Sequence, residues 1–171
     1  FDADSDSRYR GQRGDYYYET EYYTETDANG RSVQRSRQVR KTRWWPAAGR
    51  VKVEFDDLLV CATKAVQRDK IAACEPWDLP ALVPYEPAYL SGFKAQRYQV
   101  ELNEGFEEAK RMMQGPIAGA IRRDIGGDEQ SIHTCETDYY GVTFKHILLP
   151  AWIGAYRFQG RVFQVLVNAR T

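Results

Sequence analysis

At 171 residues the chain is long enough for one domain with a real core, or for two small ones sharing an interface. Its 24 basic and 24 acidic residues cancel, which excludes a global field drawing it to nucleic acid or an anionic membrane, so any such partner must meet a local patch. An aromatic content of 13%, with twelve tyrosines, exceeds the needs of a minimal core and points to a β-rich protein.

The longest apolar run, 147–154, is far short of a bilayer span and holds Pro150, so no membrane contact is expected of this piece. Three cysteines, Cys61, Cys74 and Cys135, cannot all pair, and their wide spacing is unlike a secreted disulfide scaffold. A reducing, cytoplasmic setting is expected. Beginning at Phe1 with no charged-then-apolar leader, the chain reads as part of a longer protein.

In chain order, residues 1–14 are rich in Asp, Arg and Gly without period and read as a flexible arm or linker. Residues 15–43 read as a projecting β-hairpin. An arm of Tyr, Thr and Glu leads to a turn signal at Asp27-Ala28-Asn29-Gly30, and the second arm alternates through Val33 and Val39. The first arm carries Glu19, Glu21 and Glu25 and the second Arg31, Arg35, Arg37, Arg40, Lys41 and Arg43, so opposite charges can face across the ladder.

The remainder, 44–171, is expected to form an α+β core. Trp44-Trp45-Pro46 ends the hairpin, Gly49 turns the chain, and Val51, Val53 and Phe55 make a short strand. Asp56 or Asp57 caps an expected helix carrying Leu58, Leu59, Ala62, Ala65 and Val66. Four prolines within 75–93 predict a long ordered connection or lid.

A strand at 97–102 precedes the clearest helix, capped by Asn103 and placing Phe106, Ala109, Met113, Ile117, Ala120 and Ile121 on one face. Gly115-Pro116 predicts a kink or a break. A strand near 130–139 follows. Farther on, a strand from Val142, a tight Gln159-Gly160 turn and a return strand apolar on nearly both faces imply that other segments cover it. The expected layout is an antiparallel sheet with one long kinked helix packed on it, plus the projecting hairpin.

Chemistry is sparse. His133 and Cys135 form an H-x-C pair sharing a strand face, the weak candidate for a zinc site, but Cys61 and Cys74 lack the close pairing that structural zinc requires. A nucleophile built on Cys135 and carboxylate pairs such as Asp56-Asp57 and Glu107-Glu108 are equally well read as an ordinary thiol, caps and solvated faces. The sequence carries no P-loop, no G-x-S-x-G elbow and no H-E-x-x-H helix. No catalytic residue and no cofactor is assigned, and a hydrolase using the Pro-rich loop as a lid is the third and weakest reading.

The remaining candidate is the basic and aromatic run 35–50, in which Arg37, Arg40, Lys41 and Arg43 stand beside Trp44 and Trp45. Such residues can track phosphates while indoles stack bases. Alternatively, the cations answer the facing glutamates and the indoles anchor the hairpin base. Charge of both signs on a projecting hairpin fits protein contact or self-association, and a non-enzymatic interaction or assembly module is the leading expectation.

Trp44-Trp45-Pro46 ahead of the F-D-D-L-L-V stretch 55–60, the Y-L-S-G-F element 89–93, and the closing pattern 148–168 (L-L-P-A-W to V-N) together resemble a family of bacterial zinc-ribbon proteins of unassigned function. Genome labels at times call that family primosomal-helicase-like. The resemblance implies a module of a larger intracellular bacterial protein, with any zinc held in cysteine-paired ribbons ahead of Phe1. It supplies no catalytic residue.

Overall fold

The computed structural model describes residues 1–26 and 30–170; most of the turn expected at 27–30 lies outside them. The fold is α+β, with antiparallel sheets and one long helix. In chain order the elements are β1 (Asp2–Thr26), β2 (Ser32–Phe55), the short helix α1 (Arg68–Ala72), α2 (Leu102–Ile125), β3 (Glu129–Thr143), β4 (Ala151–Phe158) and β5 (Arg161–Asn168). The first three strands form one sheet in the order β2-β1-β3, and the last two a separate hairpin. The chain divides into two compact units: Phe1–Ala3, Phe55–Met113 and Gly141–Thr171 in the first, Asp4–Glu54 and Gln114–Tyr140 in the second.

The polar N-terminal stretch is therefore no flexible arm: β1 begins at Asp2 and is the central strand of the larger sheet. Within the second unit the strand alternates, burying Ser5, Ser7, Tyr9 and Gly11 while Arg8 and Arg10 stay exposed. Serines can occupy a core strand because their hydroxyls are satisfied sideways. Ser5 Oγ donates to the Val53 carbonyl of β2 at 2.9 Å, and Ser7 Oγ lies 2.8 Å from Thr137 Oγ1 of β3. Gly11 leaves no room for a side chain, because an added Cβ would run into the Ser131 carbonyl.

β2 is also longer than expected. It continues unbroken through Trp44-Trp45-Pro46 and Gly49 to Phe55. Pro46 is tolerated because β2 is an edge strand, where a missing amide need not break a ladder. Beyond Gly14 none of the described hairpin residues up to position 43 is buried.

In α2 the buried positions are Gly105, Ala109, Met113, Ile117, Ile121 and Ile125, a strict i+4 row. Such a row runs about 26° oblique to the helix axis, which suits a surface that twists as it goes. The expected interruption at Gly115-Pro116 does not divide the element, and Pro116 sits on its exposed side, where water can take the Met112 carbonyl that a proline leaves without an amide. In the first unit Phe1 is tilted against Phe106 at 5.7 Å and Phe144 at 6.2 Å between ring centroids, and the Phe1 ammonium donates to the Leu58 carbonyl at 2.9 Å.

Three local expectations fail in the first unit. No helix starts at Asp56 or Asp57; Asp57 takes a left-handed φ of 54°, and helical structure begins only at Arg68. The segment 97–101 is not a strand but a loop, with the Gln99 and Val100 amides donating to the Ala62 carbonyl. After β3 ends at Thr143 the chain leaves regular structure before β4, so the terminal strands form their own two-stranded hairpin. The Pro-rich 75–93 stretch is a connection with short 3-10 turns at Leu79–Ala81 and Pro87–Leu90. Among the described residues no helix is long and apolar enough to cross a membrane.

Candidate functional site

The part of the β1–β2 hairpin that reaches past Gly14 is a two-stranded ribbon, and in an antiparallel ribbon paired residues share a face. Odd-numbered residues of both arms lie together. On that face Arg35 meets Glu25 at 2.8 Å, Arg37 meets Glu21 at 3.1 Å, and Lys41 meets Glu19 at 2.5 Å and Glu21 at 3.6 Å. The Arg37 guanidinium also lies over the Tyr23 ring at 5.8 Å, and that of Arg43 over Tyr17 at 4.9 Å. The hydrogen bond from Arg37 holds the Glu21 carboxyl below its ordinary range, and the one to Glu19 raises the Lys41 ammonium.

The even-numbered face is different in kind. Tyr18, Thr20, Tyr22 and Thr24 on β1 share it with Gln34, Ser36 and Gln38 on β2, an uncharged field in which Tyr18 and Tyr22 are 66% and 70% exposed. Only at its base does a cation appear, with Arg40 over the Tyr16 ring at 4.3 Å while the Tyr16 hydroxyl donates to Glu129 at 2.8 Å. That hydrogen bond raises the Tyr16 phenol pKa.

The residues singled out from the sequence are thus divided. Arg37, Lys41 and Arg43 belong to the charged face, each against a glutamate or a tyrosine, and Arg40 stacks on the other. Trp44 lies across Gly14, where an added Cβ would come within 3.0 Å of its ring and 2.7 Å of Thr42 Cγ2. Trp45 follows on the opposite face and is 51% exposed. The two indoles do not form one stacking platform.

His133 and Cys135 lie exposed on β3, and Cys135 Sγ is 3.6 Å from Thr137 Oγ1. Among the described residues the ligand-type side chains close enough to share an ion are instead Asp2, Asp56 and Asp57, within 4.8 Å of one another. An all-oxygen set of that kind suits a hard cation rather than zinc. Asp2 already accepts from the Asp57 amide and the Thr143 hydroxyl, both at 2.9 Å, which hold its carboxyl below the ordinary range. Beside this cluster a shallow cleft of about 290 Å³ is lined by Asp57, Leu58, Glu75, Trp77 and Met112 among others.

Two features escaped the sequence reading. The two-faced character of the ribbon was available in the period-two pattern of Y-Y-Y-E-T-E-Y-Y-T-E-T, where charge falls on one parity only. The carboxylate cluster was not, because positions 2 and 56 meet only after the chain has folded back.

The chain is similar to the uncharacterized protein YdjG of Bacillus subtilis (strain 168), with 22% identity over 137 residues. The match covers 77% of this chain and 39% of that protein, so the chain spans well under half the length of the curated relative it matches. No family model and no solved structure matches.

Proposed function

We propose that this chain is a non-catalytic interaction module of a larger bacterial protein, binding a protein partner through the uncharged face of the β1–β2 ribbon. One observation carries the reading: the ribbon's charged face is occupied by its own ion pairs, whereas the opposite face offers Tyr18, Tyr22, Gln34, Ser36 and Gln38 to solvent. Tyrosine gives large contact area for little lost side-chain freedom, and Ser and Gln supply adaptable hydrogen bonds, the composition that binding loops use for protein surfaces. The length of the Bacillus relative is in keeping with a module inside a larger protein.

A nucleic-acid reading would need the ribbon cations free to meet phosphates, and Arg35, Arg37 and Lys41 face glutamates instead while Arg40 and Arg43 lie over tyrosine rings. Replacing Tyr18 and Tyr22 together by Ser, with Arg37→Ala/Lys41→Ala as the comparison, separates the two. Partner capture from a bacterial extract that disappears in the tyrosine variant and survives in the cation variant is the expected result. Salt-sensitive oligonucleotide binding lost in the cation variant alone would replace this reading with the nucleic-acid one.

A further inference from the structure

The β4–β5 hairpin carries an uncovered apolar face. In its register Trp152 pairs with Val167, Gly154 with Val165, Tyr156 with Phe163 and Phe158 with Arg161, so these side chains point to one side. The other side is tied down only along part of β5: Asn168 is buried with its amide donating to the Cys74 and Pro76 carbonyls, Leu166 is half-buried and the Gln164 backbone carbonyl accepts from Lys70, whereas Ile153 and Val162 toward the other end stay 56% and 64% exposed. On the open side Trp152, Tyr156, Phe158, Phe163, Val165 and Val167 are each between 40% and 65% exposed. The expected covering segments are absent among the described residues.

We infer that this face is covered by the same face of a second copy of the chain, forming a four-stranded sandwich. A lone two-stranded hairpin is marginal in water and needs a packed face. With aromatic side chains of about 150–250 Å² each, the six residues present roughly 600 Å² per copy. Two copies approach the roughly 1,200 Å² at which specific interfaces begin.

Shape and charge choose the geometry. Gly154 opens a gap between Trp152 and Tyr156, and a Cβ built there meets nothing within 4 Å. A two-fold axis running across the strands, between the Gly154–Val165 and Tyr156–Phe163 pairs, seats the second copy's Tyr156 in that gap. The same axis sends the two hairpin tips in opposite directions. This matters because Arg157 and Arg161 flank the turn and no acidic residue follows Asp138 to neutralise them. An axis along the strands would bring the two Arg161 guanidinium groups of the open faces together. The same arginines oppose insertion of the tip into a bilayer core.

This contact is independent of the ribbon, so the two proposals fail separately. Sedimentation of the full chain should give twice 19.8 kDa at micromolar concentration. Gly154→Glu fills the gap without meeting any neighbour of its own chain, and should weaken the dimer by ~30-fold or more, as loss of a central anchor does. Phe163→Lys should do the same, while Val162→Glu on the opposite side and Tyr18→Ser/Tyr22→Ser on the ribbon should leave it within about threefold. A monomer at 100-fold higher concentration would overturn the inference. So would a dimer indifferent to Gly154→Glu, or a monomer that binds phosphatidylserine vesicles through this face.

Discussion

The Tyr9 hydroxyl of the central strand donates to Asp124 Oδ2 in the last turn of α2 at 2.6 Å, and Gly49 of β2 lies directly beside the bond. The strand, the helix end and the edge strand of the second unit meet at this point. Tyr9 is 5% exposed, so its hydroxyl has exchanged water for one carboxylate.

Tyr9→Phe keeps the ring and removes the hydroxyl, and should destabilise the protein by about 1.5–3 kcal/mol, the range for a hydrogen bond to a charged group. Urea unfolding checks this. The phenol pKa is raised to about 12 from its ordinary 10.0 by burial first, and then by the bond to Asp124 and its charge. Because the protonated form is favoured in the folded state, the stabilisation is complete below pH 10 and is lost as pH rises toward 12. Absorbance titration near 295 nm should lose its ionisation near pH 12 in Tyr9→Phe, while the raised ionisation of Tyr16 remains.

Glycine at positions 14 and 49 is required by close approach. A Cβ at Gly49 would stand 2.7 Å from both Tyr9 Oη and Asp124 Oδ2, and one at Gly14 would stand 2.7 Å from Thr42 Cγ2. Gly49→Ala and Gly14→Ala should each cost about 1–3 kcal/mol as overpacked sites do. Gly115→Ala, in open space on the exposed side of α2, should instead be neutral or gain up to about 1 kcal/mol, and comparing the three melting temperatures tests the assignment.

Asp6 is buried on β1 and accepts two hydrogen bonds from Arg50 of β2, each 2.5 Å long. These bonds, aided by the positive charge of Arg50, hold the Asp6 carboxyl below its ordinary 3.8. The ionised form is the one favoured by folding, so this stabilisation is present above pH 3.8 and is lost as pH falls through the depressed value. Arg50→Gln should move the Asp6 titration upward and shift acid unfolding to higher pH, as followed by carboxyl carbon NMR.

Asn168 fastens the end of β5 to the loop that follows α1. Its Nδ2 donates to the Cys74 carbonyl at 3.1 Å and the Pro76 carbonyl at 3.3 Å, and its Oδ1 accepts from the Arg170 amide at 2.9 Å. Asn168→Ala should cost about 1–3 kcal/mol by leaving carbonyls without donors. Asn168→Asp should cost more, because it sets a carboxylate oxygen against them. Hydrogen exchange at residues 161–168 should quicken in both variants if this anchor holds the hairpin in place.

Residues alone determined those features whose cause is local. The Gln159-Gly160 turn, with φ of 47° and 75°, the long helix and the opposition of glutamates on one hairpin arm to cations on the other were legible, because each depends on spacing of a few residues or on a ribbon register of period two, although which cations met Glu19, Glu21 and Glu25 was not. The tertiary structure decided the rest. A polar stretch such as D-A-D-S-D-S-R-Y-R-G becomes the central strand because its alternate small residues fit a buried face, and the hydroxyls that make it look soluble are paired with β2 and β3. Likewise, Val51 to Phe55 could not reveal that Pro46 lies inside the same strand, since only an edge position forgives a missing amide. The apolar alternation of β4 and β5 announced a face in need of cover. Which side is tied down by Asn168, and which is left open for another surface, depended on contacts about 90 residues apart in the sequence, where local periodicity carries no information.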